Sequence, residues 1–205
     1  HNVTVTATNP AQTIATATQV LTVDLIEPSI TIDPGPTNST NNLTPTITGT
    51  SDVAPGVTVD VTLNGPESIL TAAPVVQADQ TWEITPSLTA GEWTIVANVG
   101  DPAGNTATAT QVLTVDVDGP PVAITSSALT NDSTPAITGK TEAGATIEVT
   151  IDGVVHTGVV EGTDWSATST IELVDGEYTV SVTATDAAGN TATATQTLTV
   201  DTTVP

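Results

Sequence analysis

The chain has 205 residues, 23 acidic side chains, a single basic one (Lys140) and a formal charge of −22. Nothing in it can neutralise phosphates, which excludes nucleic acid as a partner, and no run approaches the roughly 20 apolar residues of a membrane-spanning helix, which argues against membrane insertion. With no Cys there is no disulfide framework, and with no Met either the chain offers oxidants almost nothing, a composition that points to an exterior location.

High negative charge with few aromatics is a mark of disorder. Here, however, 38% of residues are apolar, and Val, Ile and Thr alternate in short runs bounded by Gly, Pro and Asn. That pattern belongs to β-strands and predicts a folded all-β chain. No charged leader with an apolar stretch opens the sequence, which reads as a piece of something longer.

One sentence is written three times: "NPAQTIATATQVLTVD" from Asn9 to Asp24, "DPAGNTATATQVLTVD" from Asp101 to Asp116, and "DAAGNTATATQTLTVD" from Asp186 to Asp201. The closing acids Asp24, Asp116 and Asp201 fall in register, each followed four residues later by Pro28, Pro120 or Pro205. A period of about 90 residues is the size of one small β-sandwich domain. The chain therefore divides into a fragment over 1–28 and whole domains over 29–120 and 121–205. Residues 1–28 match only the last two strands and the linker of a domain, and two strands cannot bury a core alone. This hairpin is either the stump of a truncated domain or a pair that completes a neighbouring molecule's sheet.

The two whole domains answer each other throughout. In the second, the strands are predicted at Val122–Thr125, Thr134–Gly139, Thr146–Asp152, Val154–Val159, Asp164–Thr170, Tyr178–Thr185 and Thr191–Val200, with the same order in the first. About seven short strands at turn-punctuated spacing suit tandem immunoglobulin-like sandwiches in an extended rod. Tyr178, Val180, Val182 and Ala184 share one face of their strand, and Leu198 and Val200 one face of the next, so these face the core while Thr and Ser face water. "LVDGEYTV" resembles the tyrosine corner of such sandwiches, with Trp93 in that place in the first domain. Trp82 and Trp165 correspond and are expected in the cores.

Catalysis finds no support. His1 and His156 are the only imidazoles, neither recurs in its partner repeat, and no nucleophile–base arrangement is shared, so no enzyme is expected. Lys140 is expected on the surface.

The acids are more informative. Two carboxylates about 4 Å apart repel by about 4 kcal/mol at an effective dielectric near 20, so the chain must separate them or supply cations. In a seven-strand sandwich the second–third and sixth–seventh strand loops lie at the pole where the chain enters, and the last strand ends at the opposite pole. Acids from three segments thus meet at each junction. At the second these are Asp116 and Asp118 in the linker, Glu142 in "KTEAGA", and Asp186 with Asn190 in "DAAGN". At the first they are Asp24 and Glu27, Asp52 in "TSDVAPG", and Asp101 with Asn105 in "DPAGN". Oxygen donors without nitrogen or sulfur ligands are the set that Ca²⁺ takes in groups of about 6–8. Mg²⁺ wants stricter geometry, and Zn²⁺ wants ligands that are missing here. Asp and Asn beside Gly are also ordinary turn formers. The worn copy has Asn9 and Thr13 at these places, so no equivalent site is expected there; Asn131 and Asp132 lie at the far pole and read as a turn.

The strings "TNDSTPAITGKTEAGATIEVTIDG" and "YTVSVTATDAAGNTATATQTLTVDTTVP", with their counterparts in the first domain, resemble the tandem bacterial immunoglobulin-like repeats of giant secreted adhesins, the biofilm-associated and RTX-type proteins exported by type I secretion. The resemblance implies an extracellular, cell-surface stalk whose modules are stiffened by Ca²⁺ at the linkers, with Asp116, Asp118, Glu142 and Asp186 among the ligands. The first junction departs from the pattern in having Ile26 where Asp118 stands and a longer loop around Asp52. The expected partners are neighbouring repeats of the same chain. Two other functions stay open: a filament subunit that self-associates through the 1–28 hairpin, and direct binding of glycan or ice by outward Thr rows such as Thr191, Thr193, Thr195, Thr197 and Thr199.

Overall fold

The computed structural model describes residues 1–33 and 38–204, and among them every regular element is a strand. Strands β1 (Asn2–Thr8) and β2 (Ile14–Val20) form a lone antiparallel hairpin. Next come β3 (Ser39–Thr40), β4 (Ile47–Thr50), β5 (Asp60–Asn64), β6 (Ile69–Ala72), β7 (Thr81–Ile84), β8 (Gly91–Gly100) and β9 (Thr106–Val115). The last group is β10 (Val122–Ile124), β11 (Leu129–Thr130), β12 (Ala136–Thr141), β13 (Thr146–Ile151), β14 (Val154–Thr157), β15 (Val159–Glu161), β16 (Asp164–Thr168), β17 (Gly176–Thr185) and β18 (Thr191–Val200).

These strands make two β-sandwiches. In the first, a five-stranded sheet ordered β3-β9-β8-β5-β6 packs on the pair β4-β7. In the second, the order β11-β18-β17-β13-β14 packs on β10-β12-β16-β15. Each has its own core, and no residue belongs to both. Period-two alternation explains both cores, because successive side chains leave a strand on opposite faces. Along β8, Trp93, Ile95, Ala97 and Val99 are buried, and along β17 so are Val180, Val182 and Ala184.

Both expected tryptophans are core residues: Trp82 and Trp165 are almost wholly buried. Each lies directly across the ladder from a glycine, Gly49 or Gly139. A Cβ at Gly139 would collide with the Ala123 carbonyl and the Trp165 indole, and a Cβ at Gly49 with the Thr31 carbonyl and Trp82. The tyrosine corner is also present: Tyr178 Oη donates to Val174 O at 2.9 Å, and Trp93 Nε1 donates to Thr89 O at 2.9 Å. Both aromatics reach four residues upstream, one with a hydroxyl and one with an indole N–H.

The second sandwich has more strands than the seven expected, for identifiable reasons. The entry segment splits: β10 pairs with β12, whereas β11 crosses over to lie parallel to β18. The expected strand Val154–Val159 also splits, into β14 in one sheet and β15 in the other. Gly158 makes that switch. Its N–H donates to Ile147 O at 2.8 Å, and a Cβ there would stand 2.6 Å from Ile147 Cγ2. Strand β12 starts at Ala136 and not at Thr134, because Asp132 Oδ1 takes the Thr134 N–H at 2.8 Å into a turn.

The hairpin keeps the register of the whole domains. Val3, Val5 and Ala7 face Gln19, Ala17 and Ala15, as Ile95, Ala97 and Val99 face Gln111, Ala109 and Ala107. Every residue of its two strands is exposed, so alternation sets its pairing while, among the described residues, nothing covers its apolar face.

Substituting Gly139 by Ala should destabilise the second sandwich by about 1–3 kcal/mol through forced overpacking. Urea unfolding followed by Trp165 fluorescence would measure it, and an unchanged midpoint would contradict the close approach.

Candidate functional site at the domain junctions

Each sandwich leaves by the same device. Strands β9 and β18 end at Val115 and Val200, and the N–H groups of the next residues, Asp116 and Asp201, donate to Thr40 O and Thr130 O, both at 2.9 Å. The carboxylate of each closing Asp then accepts the N–H two residues on. Asp24 Oδ1 takes Ile26 N–H at 3.0 Å, Asp116 takes Asp118 N–H at 3.0 Å, and Asp201 takes Thr203 N–H at 3.1 Å. A short carboxylate side chain that hydrogen-bonds its own backbone in this way turns the chain out of the strand and into the linker.

Entry also uses one device twice. The turn from β8 to β9 is Asp101–Asn105, and that from β17 to β18 is Asp186–Asn190. Gly104 and Gly189 supply backbone at φ of 95° and 91°, which a side chain would resist. Asp101 Oδ1 accepts Asn105 N–H at 2.9 Å, and Asp186 Oδ1 accepts Asn190 N–H at 2.8 Å. The second carboxylate oxygen accepts the Asn side-chain amide, at 2.8 Å in the first turn and 2.9 Å in the second.

That amide reaches further. Asn190 Nδ2 also donates to Asp116 O at 2.9 Å, and Asn105 Nδ2 to Asp24 O at 3.3 Å. The closing residue of each linker is thereby tied to the entry turn of the domain that follows. At the second junction Asn41 N–H adds a backbone bond to Ala188 O at 3.2 Å.

The structure thus brings together Asp116, Asp186 and Asn190, and likewise Asp24, Asp101 and Asn105. Asp52 joins the first junction by another route, accepting Ser29 N–H at 2.7 Å and so holding the linker just past Pro28. Glu142 contributes its carbonyl to a turn with Ala145 N–H. Among the described residues, the side chains of Asp118, Glu142 and Glu27 are not hydrogen-bonded into either set. The donor chemistry suits a hard cation; among the described residues, no group of three or more His, Cys, Asp or Glu is by itself placed to hold a metal ion. Two oxygens, Asp186 Oδ2 and Asp116 O, do face one point, and Asn190 Nδ2 fills it.

These bonds shift the acids. Burial pushes the Asp186 carboxyl up, but the Asn190 amide together with the N–H groups of Asn190, Gly189 and Ala188 outweighs it and holds the group below its ordinary value. For Asp101 the Asn105 amide is the largest cause of a shift in the same direction.

Three contacts escaped the sequence reading. Asp175 Oδ1 accepts Thr202 N–H at 2.8 Å and its hydroxyl at 2.7 Å, pinning the terminal linker, and the Thr202 N–H is the first cause of a lowered Asp175 carboxyl. The only signal was that "DGEY" has Asp where "AGEW" has Ala90. His156 is buried, and its Nδ1 faces Thr170 N–H at 3.3 Å. Lys140 is exposed as expected but pairs with Asp164 at 2.5 Å.

The model of the bacterial Ig-like domain family matches residues 19–119 and 123–202. The chain belongs to that family. No curated protein matches it. Among solved structures, it is similar to a tetra-tandem repeat in the extending region of a large adhesion protein, with 26% identity, 98% of this chain and 56% of that one covered, and a TM-score of 0.43. The chain therefore spans 56% of the length of that structure. It is also similar to a structure from a 1.5-MDa bacterial ice-binding adhesin, with 25% identity, 97% and 73% coverage and a TM-score of 0.42. A third likeness is to fibronectin(III)-like modules of Clostridium thermocellum CbhA, with 17% identity, 84% and 94% coverage and a TM-score of 0.46.

A carboxyl held low by folding contributes its stability in full above the unfolded pKa, about 3.9 for Asp. That contribution is lost as pH falls through the folded value. An NMR titration should therefore place the Asp186 midpoint below the ordinary Asp value, and Asn190→Ala should move it upward.

Proposed function

We propose that this chain is a spacer segment of a bacterial cell-surface adhesin, an extracellular stalk that holds a distal domain away from the cell. The observation that carries the reading is the joint: the closing residue of the first sandwich is bonded on one side to its own domain, through Thr40, and on the other to the entry turn of the next, through Asn190. A connection of that kind transmits orientation and force along a chain of modules. Two successive matches to the bacterial Ig-like domain family along this chain, the solvated acidic surface and the adhesin-like strings of the sequence support it. Among the described residues no helix is long and apolar enough to cross a membrane, and each ten-residue strand adds roughly 33 Å of reach.

Calcium at the junctions belongs to the proposal on the chemistry of the donors alone. Asp116, Asp118, Glu142 and Asp186 would hold it at the second junction, and Asp24, Glu27, Asp52 and Asp101 at the first, with Asn190 and Asn105 beside them. The ion would supply charge neutralisation where carboxylates otherwise repel. Small-angle scattering should then give a larger maximum dimension in calcium than in chelator, and calorimetry a binding isotherm that Asp116→Ala or Glu142→Ala weakens. Identical dimensions and no binding heat would remove calcium from the proposal and leave the spacer.

A second reading, self-association, rests on the hairpin. Its inward face exposes Val3 and Val5, continued by Leu21 and Val23, at 47–63% of their full surface, where the matching Leu113 and Val115 of the first sandwich are buried. A mass that rises with concentration in sedimentation equilibrium would support a filament subunit, and a constant monomer mass would remove it.

A further inference from the structure

We propose that Asn190, with Asn105 at the junction before it, is an interdomain latch: a positioning residue whose amide docks the entry turn of one sandwich onto the linker carbonyl of its predecessor and sets their relative angle without a metal ion.

The amide's orientation follows from its partners. Asp186 Oδ2 and Asp116 O, each 2.9 Å from the same side-chain atom, can only accept, so the atom between them must be the donating NH₂. One amide therefore satisfies two oxygens that would otherwise face each other across the joint. The same pair of bonds recurs at the first junction, on Asp101 Oδ2 and Asp24 O. A separate backbone bond, Asn41 N–H to Ala188 O, aligns the second joint from its other side.

The molecule holds its own control for the alternative that Asn190 merely builds the turn. In the hairpin the matching turn runs from Asn9 to Thr13, with Thr at the place of the Asn. It closes all the same: Thr13 N–H donates to Asn9 Oδ1 at 2.9 Å and Asn9 N–H to Thr13 O at 3.1 Å. The turn closes without the amide, so the amide's second bond, to the preceding linker, is not needed to build the turn. The exit frame that receives the latch is likewise present again at the far pole of the second sandwich, where Asp201 N–H donates to Thr130 O and Asp201 Oδ1 accepts Thr203 N–H.

The latch rests on the spacer reading only for its use in a longer chain, and it makes a claim about this joint that stands apart from calcium. The test uses the whole chain in chelator, with residual dipolar couplings reporting the alignment of each sandwich and urea unfolding reporting its stability. In the parent chain both sandwiches should share one alignment. Asn190→Thr should lower the docked-to-undocked ratio by roughly fivefold, the worth of one neutral hydrogen bond. The couplings of the second sandwich should scale down together relative to the first, with only the small fall in its urea midpoint that loss of the Asp186–Asn190 contact brings. Should Thr unsettle the turn, Asn190→Asp keeps the size and replaces the donor by an acceptor, with the same loosening expected. Unchanged couplings in the variants would overturn the latch, as would parent sandwiches that reorient independently in chelator and lock only in calcium, an outcome that would favour the calcium proposal instead. Loosening by Asn190→Thr with no response to calcium would uphold the latch and sink that proposal.

Discussion

The ten-residue antiparallel pairings of β8 with β9 and of β17 with β18 are the constraint on which the rest depends. Each runs without a break from Gly91↔Val115 to Gly100↔Thr106, or from Gly176↔Val200 to Thr185↔Thr191. An unbroken ladder of that length puts the entry turn at one end of the sandwich and the closing Asp at the other. Its alternation delivers Trp93, Ile95 and Leu113, or Val180, Val182 and Leu198, to the core. Through it the polarity of one strand pair becomes the polarity of a module, with an exit frame that meets the next module's entry turn.

A chain with a formal charge of −22 has to place its carboxylates somewhere, and it spends many of them on local backbone donors. Asp24, Asp116 and Asp201 cap the N–H two residues ahead. Asp79 and Asp132 do the same for Thr81 and Thr134, while Asp175 takes the Thr202 N–H from 27 residues away. A carboxylate that accepts N–H and hydroxyl groups is stabilised without a counter-ion, and its side chain is held away from its neighbours. At the junctions the Asn amide extends this economy between domains, donating to the preceding linker carbonyl as well as to the acid of its own turn.

The two sandwiches share a frame and differ in their fittings. The second alone carries the Lys140–Asp164 ion pair, the buried His156 against Thr170, and the Asp175 clamp on Thr202. The pair is well exposed on both sides and contributes little to stability. His156 occupies an inward position on β14 whose counterpart on β6, Ala72, is small, and the extra strand switch at Gly158 goes with that local repacking.

Strand positions, the paired tryptophans, the aromatic corner and the repeat register were all legible in the residues, because they depend on a period of two and on turn chemistry that acts over a few positions. The splitting of two strands was not, since whether β11 or β15 joins one sheet or the other depends on backbone donors far away in sequence, such as those facing Ile147 and Val200. The same division holds at the junctions. Sequence alone determined which acids and amides occupy each pole, through the repeat and the polarity of the last two strands. Only the tertiary structure decided which of them meet. Asn190 reaches the Asp116 carbonyl 74 residues away, while Glu142 and Asp118, equally near in the sequence argument, stay apart from that contact. A hydrogen bond is settled within a few tenths of an ångström, and strand periodicity places a side chain only on a face.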